Sequence, residues 1–294
     1  MNTDHPLRGP LFMVLATACY VTNDTMMKLA TDGLPPYQVL VMRGISATIW
    51  GVVFLAFLGL LPRAGQAFGG RVLLRNLFET IAVLGYIVAL ANMPIADVLA
   101  LGQITPLIVL LGASFLFGER LGWMRMALIS LGFAGALMVA QPTATGISVY
   151  ALLGLSNAVF GAGRDLASRR VSSEVPGLVV AFGASFLVLT GALILHLCFE
   201  SWVTPEPTHI VLLGAAGLFL FVAHYLLFMA YRIGPTSAVA PFYYFFAFWG
   251  VVSGIVVFGH LPNALAFTGI VLIVISGVAV VLIGQRRKSR ARAA

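Results

Sequence analysis

The sequence predicts an all-α polytopic membrane protein with ten transmembrane helices, arranged as two inverted five-helix repeats. Three observations carry that expectation: an apolar composition poor in charge, ten apolar runs of span length, and a self-similarity at a shift of 141 residues. Of 294 residues, 60% are hydrophobic and 9% charged, with a mean hydropathy of +1.01. A soluble domain carries about 25% charged residues, so a water-soluble globule is excluded.

Apolar runs separated by Gly, Pro and polar breaks fall near 10–30, 37–61, 71–92, 95–117 and 123–140. A second set falls near 148–170, 177–199, 209–231, 236–258 and 264–284. Each approaches the roughly 20 residues, at ~1.5 Å of rise apiece, that a bilayer-spanning helix needs. The first run has one feature of a cleaved signal, ATA at 16–18, but its weak basic flank and Asp4 favour a retained span. Cys19 and Cys198 both fall within spans and read as apolar thiols rather than a disulfide.

Ten spans place both termini on one side. That side collects fifteen of the seventeen Lys and Arg residues, and the other takes only Lys28 and Arg43. The positive-inside bias then expects an integral plasma (inner) membrane protein, multi-pass, with both termini cytoplasmic. The net charge of +7 does not form a nucleic-acid footprint, because five basic residues sit in the tail QRRKSRARAA and the others scatter.

The shift of 141 superposes FGE at 117–119 on FGH at 258–260, Pro94 on Pro235, Ala89 on Ala230 and Phe78 on Phe219. It also carries Asp24 to Asp165 and Lys28 to Arg169, so NDTMMK in span 1 answers RDLASR in span 6. Residues 1–141 therefore read as one five-helix repeat, 142–285 as the second, and 286–294 as a basic cytoplasmic tail. Five is odd, so the second repeat enters the membrane upside down. Inverted repeats are the architecture of alternating-access transporters, with the site near the midplane between the halves.

The stretch ALANMPIADVLALGQITPLIVLLGASFLFGERL at 89–121 has a turn, small residues, the mid-span Pro106 and a closing GER-L. It resembles the span 3–4 signature of the EamA family of the drug/metabolite transporter superfamily. Lys28 in span 1, Arg43 in span 2 and the basic end Ser168-Arg169-Arg170 of span 6 also follow that pattern. The sequence departs from it at Gly259-His260 and in the aromatic PFYYFFAFWG of span 9. Within the family the overall look is similar to YddG-type amino-acid exporters. The resemblance implies a transporter fold but does not by itself fix a substrate.

Several intramembrane polar residues are candidates for the site. Ionisable groups in a span cost roughly 2.5–3.5 kcal/mol each, and face the bundle interior or water. Asp24, Lys28, Asp165, Arg169 and Arg43 read either as gate or cavity-mouth residues or as helix-end anchors. Glu79 lies about 12 Å into span 3, with no basic residue at its depth and Arg75 one turn earlier. It is either a cavity carboxylate or half of an (i, i+4) pair. Asn157 and His224 lack local partners and read as substrate-facing or as interhelical glue. Tyr20, Tyr86, Tyr243, Tyr244 and Trp249 offer an aromatic cavity wall or packing. No HExxH, P-loop, GxSxG or Cys cluster is present, so neither an enzyme nor a cofactor is expected.

The expected function is export of small metabolites, aromatic or large apolar amino acids first among them, by alternating access through a central cavity. Glu79 would attract the ammonium group or set charge balance, Asn157 and His224 would bind the polar end, and the aromatics would shape the wall. The expected partners are the lipid bilayer and a small-molecule substrate. Export of cationic drugs or nucleotide-like metabolites is the alternative within transporters. A channel-like pore or a receptor that does not transport is the alternative outside them.

Overall fold

The computed structural model describes residues 8–117, 122–141, 147–168, 170–172, 174–233 and 240–293; Arg169, Pro235 and the motif at 118–121 lie outside them. The long apolar runs fold as helices because, in a bilayer, every backbone polar group must be satisfied within its own segment. The first five are α1 (Arg8–Ala30), α2 (Pro36–Phe57), α3 (Gly70–Asn92), α4 (Ile95–Gly102) and α5 (Thr105–Phe117). They are followed by α6 (Trp123–Ala140), α7 (Val149–Ser168), α8 (Gly177–Phe199), α9 (Pro207–Ile233), α10 (Phe245–Val256) and α11 (Ala264–Ala293). Among the described residues, α2, α3, α8 and residues 207–227 of α9 are long and apolar enough to cross a bilayer outright. The chain is an integral, multi-pass membrane protein.

Three boundaries differ from the sequence expectation. The second span stops at Phe57, with Gly59 in the left-handed region at φ +66°, and the chain continues as a 3-10 helix over Leu61–Phe68. The expected fourth span is two helices, broken at Gln103 and Ile104. Pro106 cannot donate to the preceding turn, and the Thr105 hydroxyl instead donates to the Gly102 carbonyl at 2.7 Å. In the expected ninth span, a short 3-10 turn over Ala240–Tyr244 precedes α10. Under the shift of 141, Tyr244 corresponds to Gln103, so the two interruptions fall at matching places.

Helix starts recur at the same spacing: residues 36 and 177 open α2 and α8, and 123 and 264 open α6 and α11. Packing follows suit. The contact of α1 on α9 is mirrored by α7 on α3, and that of α5 on α7 by α10 on α1, while α2 meets α8 and α6 meets α11. The outward faces carry large apolar groups such as Phe57, Phe115 and Leu197, as a lipid-facing surface requires.

Lipid gives little hydrophobic drive between helices, so close approach relies on small residues. At the α6–α11 crossing, a Cβ on Gly135 would stand 2.7 Å from the Gly269 carbonyl, and one on Gly269 would stand 2.5 Å from that of Gly135. The obstacle is backbone and cannot turn aside. Gly135→Leu is therefore expected to lower stability by about 1–3 kcal/mol, read as a drop in thermal midpoint in detergent; an unchanged midpoint would refute the close crossing.

A carboxylate closes one end of the bundle. Glu200, after α8, accepts the backbone N–H groups of Tyr37 and Gln38 in the first turn of α2 at 3.0 and 3.1 Å, and lies 2.9 Å from His196 Nδ1. It satisfies orphan donors where the helix dipole favours negative charge. Gln38 adds a reciprocal pair with the Val203 backbone at 2.6 and 2.9 Å. Glu200→Ala is expected to cost about 1–2 kcal/mol, while the exposed Glu174→Ala costs little; equal thermal midpoints for the two variants would contradict this.

Candidate functional site

A cavity of ≈ 570 Å³ opens among α1, α3, α7 and α9, against the α4–α5 break. That volume lies within the ~300–1,000 Å³ typical of small-molecule sites. Its lining includes nine residue pairs related by the shift of 141, among them Tyr20 with Gly161, Asp24 with Asp165, Met27 with Ser168, and Val83 with His224. These pairs supply eighteen of the twenty-four lining residues, so the cavity lies where the two halves of the chain face each other.

One end of the cavity holds a linked ionic network. The Arg75 Nη2 stands 3.5 Å from Glu79 Oε2, and Arg164 Nη1 donates to the same oxygen at 2.9 Å. The Nε of Arg164 donates to Asp165 Oδ1 at 2.7 Å. Two guanidiniums thus meet two carboxylates, and the network is neutral as a set. Glu79 has a base at its depth after all: Arg164, on a different helix, which reading along one helix could not pair with it.

The other end is built around Asp24. The Tyr86 hydroxyl donates to Asp24 Oδ2 and the Asn23 amide donates to Oδ1, both at 2.9 Å. Lys28, spaced to reach Asp24, turns away from it. Its Nζ donates to the carbonyls of Leu90 and Met93 at 2.7 Å each, closing the C-terminal end of α3, and lies 5.7 Å from the Phe258 ring centroid. Thr25 and Ser253 share a 2.7 Å hydroxyl contact between α1 and α10 beside it. The two ends differ in access: Asp24 and Met27 are buried, whereas the Asp165 side chain is 42% exposed and Ser168 is exposed.

Of the residues singled out from sequence, Glu79, Asn157, His224, Tyr20, Tyr86, Tyr243, Asp24, Asp165 and Arg43 all line this cavity. His224 has a local partner, since Nδ1 lies 2.8 Å from the Leu220 carbonyl one turn back, and its ring meets Tyr20 edge-on at 5.3 Å. Tyr244 does not line the cavity; its ring lies so close to Gly277 of α11 that no side chain would fit there. Trp249 also lies off the lining, its Nε1 donating to the Val14 carbonyl at 3.3 Å. Lys28 stands behind the wall, and Arg169 is not among the described residues. Sequence reasoning passed over Arg164, Asn23, Gln103 and Phe246 as lining residues. For Arg164 and Asn23 a signal existed, because each sits beside a flagged aspartate and the two correspond under the shift.

Residues 7–141 match the EamA-like transporter family. Over that stretch, just under half of its length, the chain is similar to that family. Relatives span both halves of the EamA-like chain. It is 29% identical over 291 residues to a riboflavin transporter of Rhizobium johnstonii, covering 96% of this chain and 93% of that protein. It is 28% identical to a riboflavin transporter of Vibrio cholerae, covering 97% and 96%. The pseudopaline exporter of Pseudomonas aeruginosa is 27% identical over 277 residues, covering 92% and 95%. A solved crystal structure aligns over 95% of this chain and 98% of its own with a TM-score of 0.65 at 22% identity, which speaks to fold. Along nearly all of its length this EamA-like chain is thus similar to membrane transporters.

Proposed function

We propose that this transporter exports small zwitterionic metabolites, aromatic or large apolar amino acids first among them, by alternating access across the inner membrane. The observation that carries the reading is the cavity itself: it is lined by residues paired across the shift, and acids, bases and aromatic rings are its principal side chains. Repeated helix starts, exchange-symmetric packing and two matching helix interruptions all favour ten spans in two inverted repeats. Interrupted segments at corresponding positions of two halves are a pointer to a transport site.

The positive-inside argument for cytoplasmic termini gains from the geometry. Arg75, Arg164 and Arg43 line the cavity and do not count as loop charges; without them thirteen basic residues stand against Lys28 alone. In that orientation the exposed Asp165–Ser168 end faces the cytoplasm, where an exporter takes its cargo. Glu79, engaged by two arginines, sets the charge balance. Asn157 and His224 offer polar contacts, and Tyr20, Tyr86 and Tyr243 shape the wall.

A second reading has a specific observation behind it. Two of the relatives are riboflavin transporters, and the aromatic wall suits a planar ring. The experiment is efflux from liposomes holding purified protein and labelled amino acids, riboflavin, a cationic dye or a nucleotide. Saturable, trans-stimulated efflux of aromatic amino acids is expected. Riboflavin efflux alone would replace the amino-acid reading, and non-saturable leak of every solute would indicate a pore.

A further inference from the structure

The cavity wall holds polar atoms with nothing to bond. Arg43 of α2 is 5% exposed, Asn23 of α1 is 1% and Gln103 at the α4–α5 break is 3%. All three line the cavity. The Nε of Arg43, Oδ1 of Asn23 and Oε1 of Gln103 are each buried without a hydrogen-bond partner among the described residues. The orientation of the Asn23 amide is fixed, because its NH₂ donates to the Asp24 carboxylate and only the carbonyl oxygen is left over. A buried polar group without a partner costs free energy comparable to a lost hydrogen bond. Three of them lining one cavity, from α1, α2 and the α4–α5 break, describe the complement of a ligand.

That complement is specific. A guanidinium N–H asks for an anion or a strong acceptor, and two carbonyl oxygens ask for donors. Asp24, already holding Asn23 and Tyr86, adds negative charge near the guanidinium. At the other end Arg75, Glu79, Arg164 and Asp165 satisfy one another. We propose that Arg43, Asn23 and Gln103 form a headgroup subsite for an α-amino acid. Its carboxylate sits on Arg43 and its ammonium on the Asn23 and Gln103 oxygens, with the side chain directed toward Tyr20 and Phe246. This deepens, and rests on, the amino-acid reading above, and it moves the ammonium site away from Glu79.

The test is binding of three probes to the purified full-length protein: L-phenylalanine, 2-phenylethylamine, which lacks the carboxylate, and 3-phenylpropanoate, which lacks the ammonium. The wild type is expected to prefer L-phenylalanine to either analogue by about tenfold or more, the worth of a charged hydrogen bond. Arg43→Gln should weaken L-phenylalanine and 3-phenylpropanoate by a similar factor and leave 2-phenylethylamine unchanged. Gln103→Leu should weaken L-phenylalanine and 2-phenylethylamine and spare 3-phenylpropanoate. It replaces one uncharged side chain by another, and so reads the ammonium side even where Arg43→Gln does not fold. Equal loss of all three probes in both variants, or no loss in either, would overturn the subsite while saturable phenylalanine efflux would keep the transport reading. Riboflavin binding with no affinity for any of the three would overturn both.

Discussion

Arg164→Ala is expected to lower transport at least about tenfold and to destabilise the folded protein by about 2 kcal/mol. The guanidinium donates to Glu79 on α3 and to Asp165 on its own helix, at 2.9 and 2.7 Å. Its loss leaves Glu79 with Arg75 at 3.5 Å and leaves the cavity one positive charge short. Removing one member of a buried pair costs roughly 3–5 kcal/mol. The Arg164 and Glu79 side chains are 23% and 15% exposed, so water screening brings the expected loss below that range. A double-mutant cycle with Glu79→Gln should show a coupling of about 1–2 kcal/mol. Arg71→Ala, whose guanidinium reaches the Arg170 carbonyl at the exposed surface, should be close to silent. Transport in Arg164→Ala equal to that of Arg71→Ala would remove the ionic network from the transport path.

Lys28→Ala is expected to open the opposite end. Its ammonium holds the Leu90 and Met93 carbonyls at 2.7 Å each, where Met93 and Pro94 break the helix. Hydrogen bonds to a charged group contribute about 1.5–3 kcal/mol, so their loss should shift the balance between closed and open forms by about tenfold or more. A cysteine introduced at Met27, 1% exposed in this conformation, should then react with a hydrophilic maleimide at least several-fold faster than in the Lys28 background. No change in rate would reduce Lys28 to a helix-end anchor.

The helices were legible in the sequence because their signal is local. Runs of apolar residues with Gly and Pro at their ends placed α2 and α3 to within a few residues. The break at Gln103 was harder, since a single amide inside IADVLALGQITP barely changes an apolar run; in retrospect Gly102, Gln103 and Pro106 together mark it. The partners of the charged residues were not legible at all. Asp24 and Lys28 stand four residues apart on one helix, yet Asp24 is held by Tyr86, sixty-two residues away, and Lys28 by backbone at the end of α3. Those choices depend on how α1 and α7 are rotated against their neighbours. Close packing sets that rotation, for example where Gly163 lies against the Phe78 ring. The shift of 141 was the one long-range signal available, and it led to the two corresponding aspartates that line the cavity.

The paired ends of this cavity are expected to open in turn. Met27 and Ser168 correspond under the shift, line the same cavity, and differ in access, the first buried and the second exposed. The decisive measurement is maleimide labelling of Met27→Cys and Ser168→Cys in liposomes, with Cys19 and Cys198 replaced by serine, before and after imposing a gradient of the transported substrate. Reciprocal change is expected, with labelling at 27 rising as labelling at 168 falls. Rates that rise together, or that ignore the substrate, would contradict alternating access.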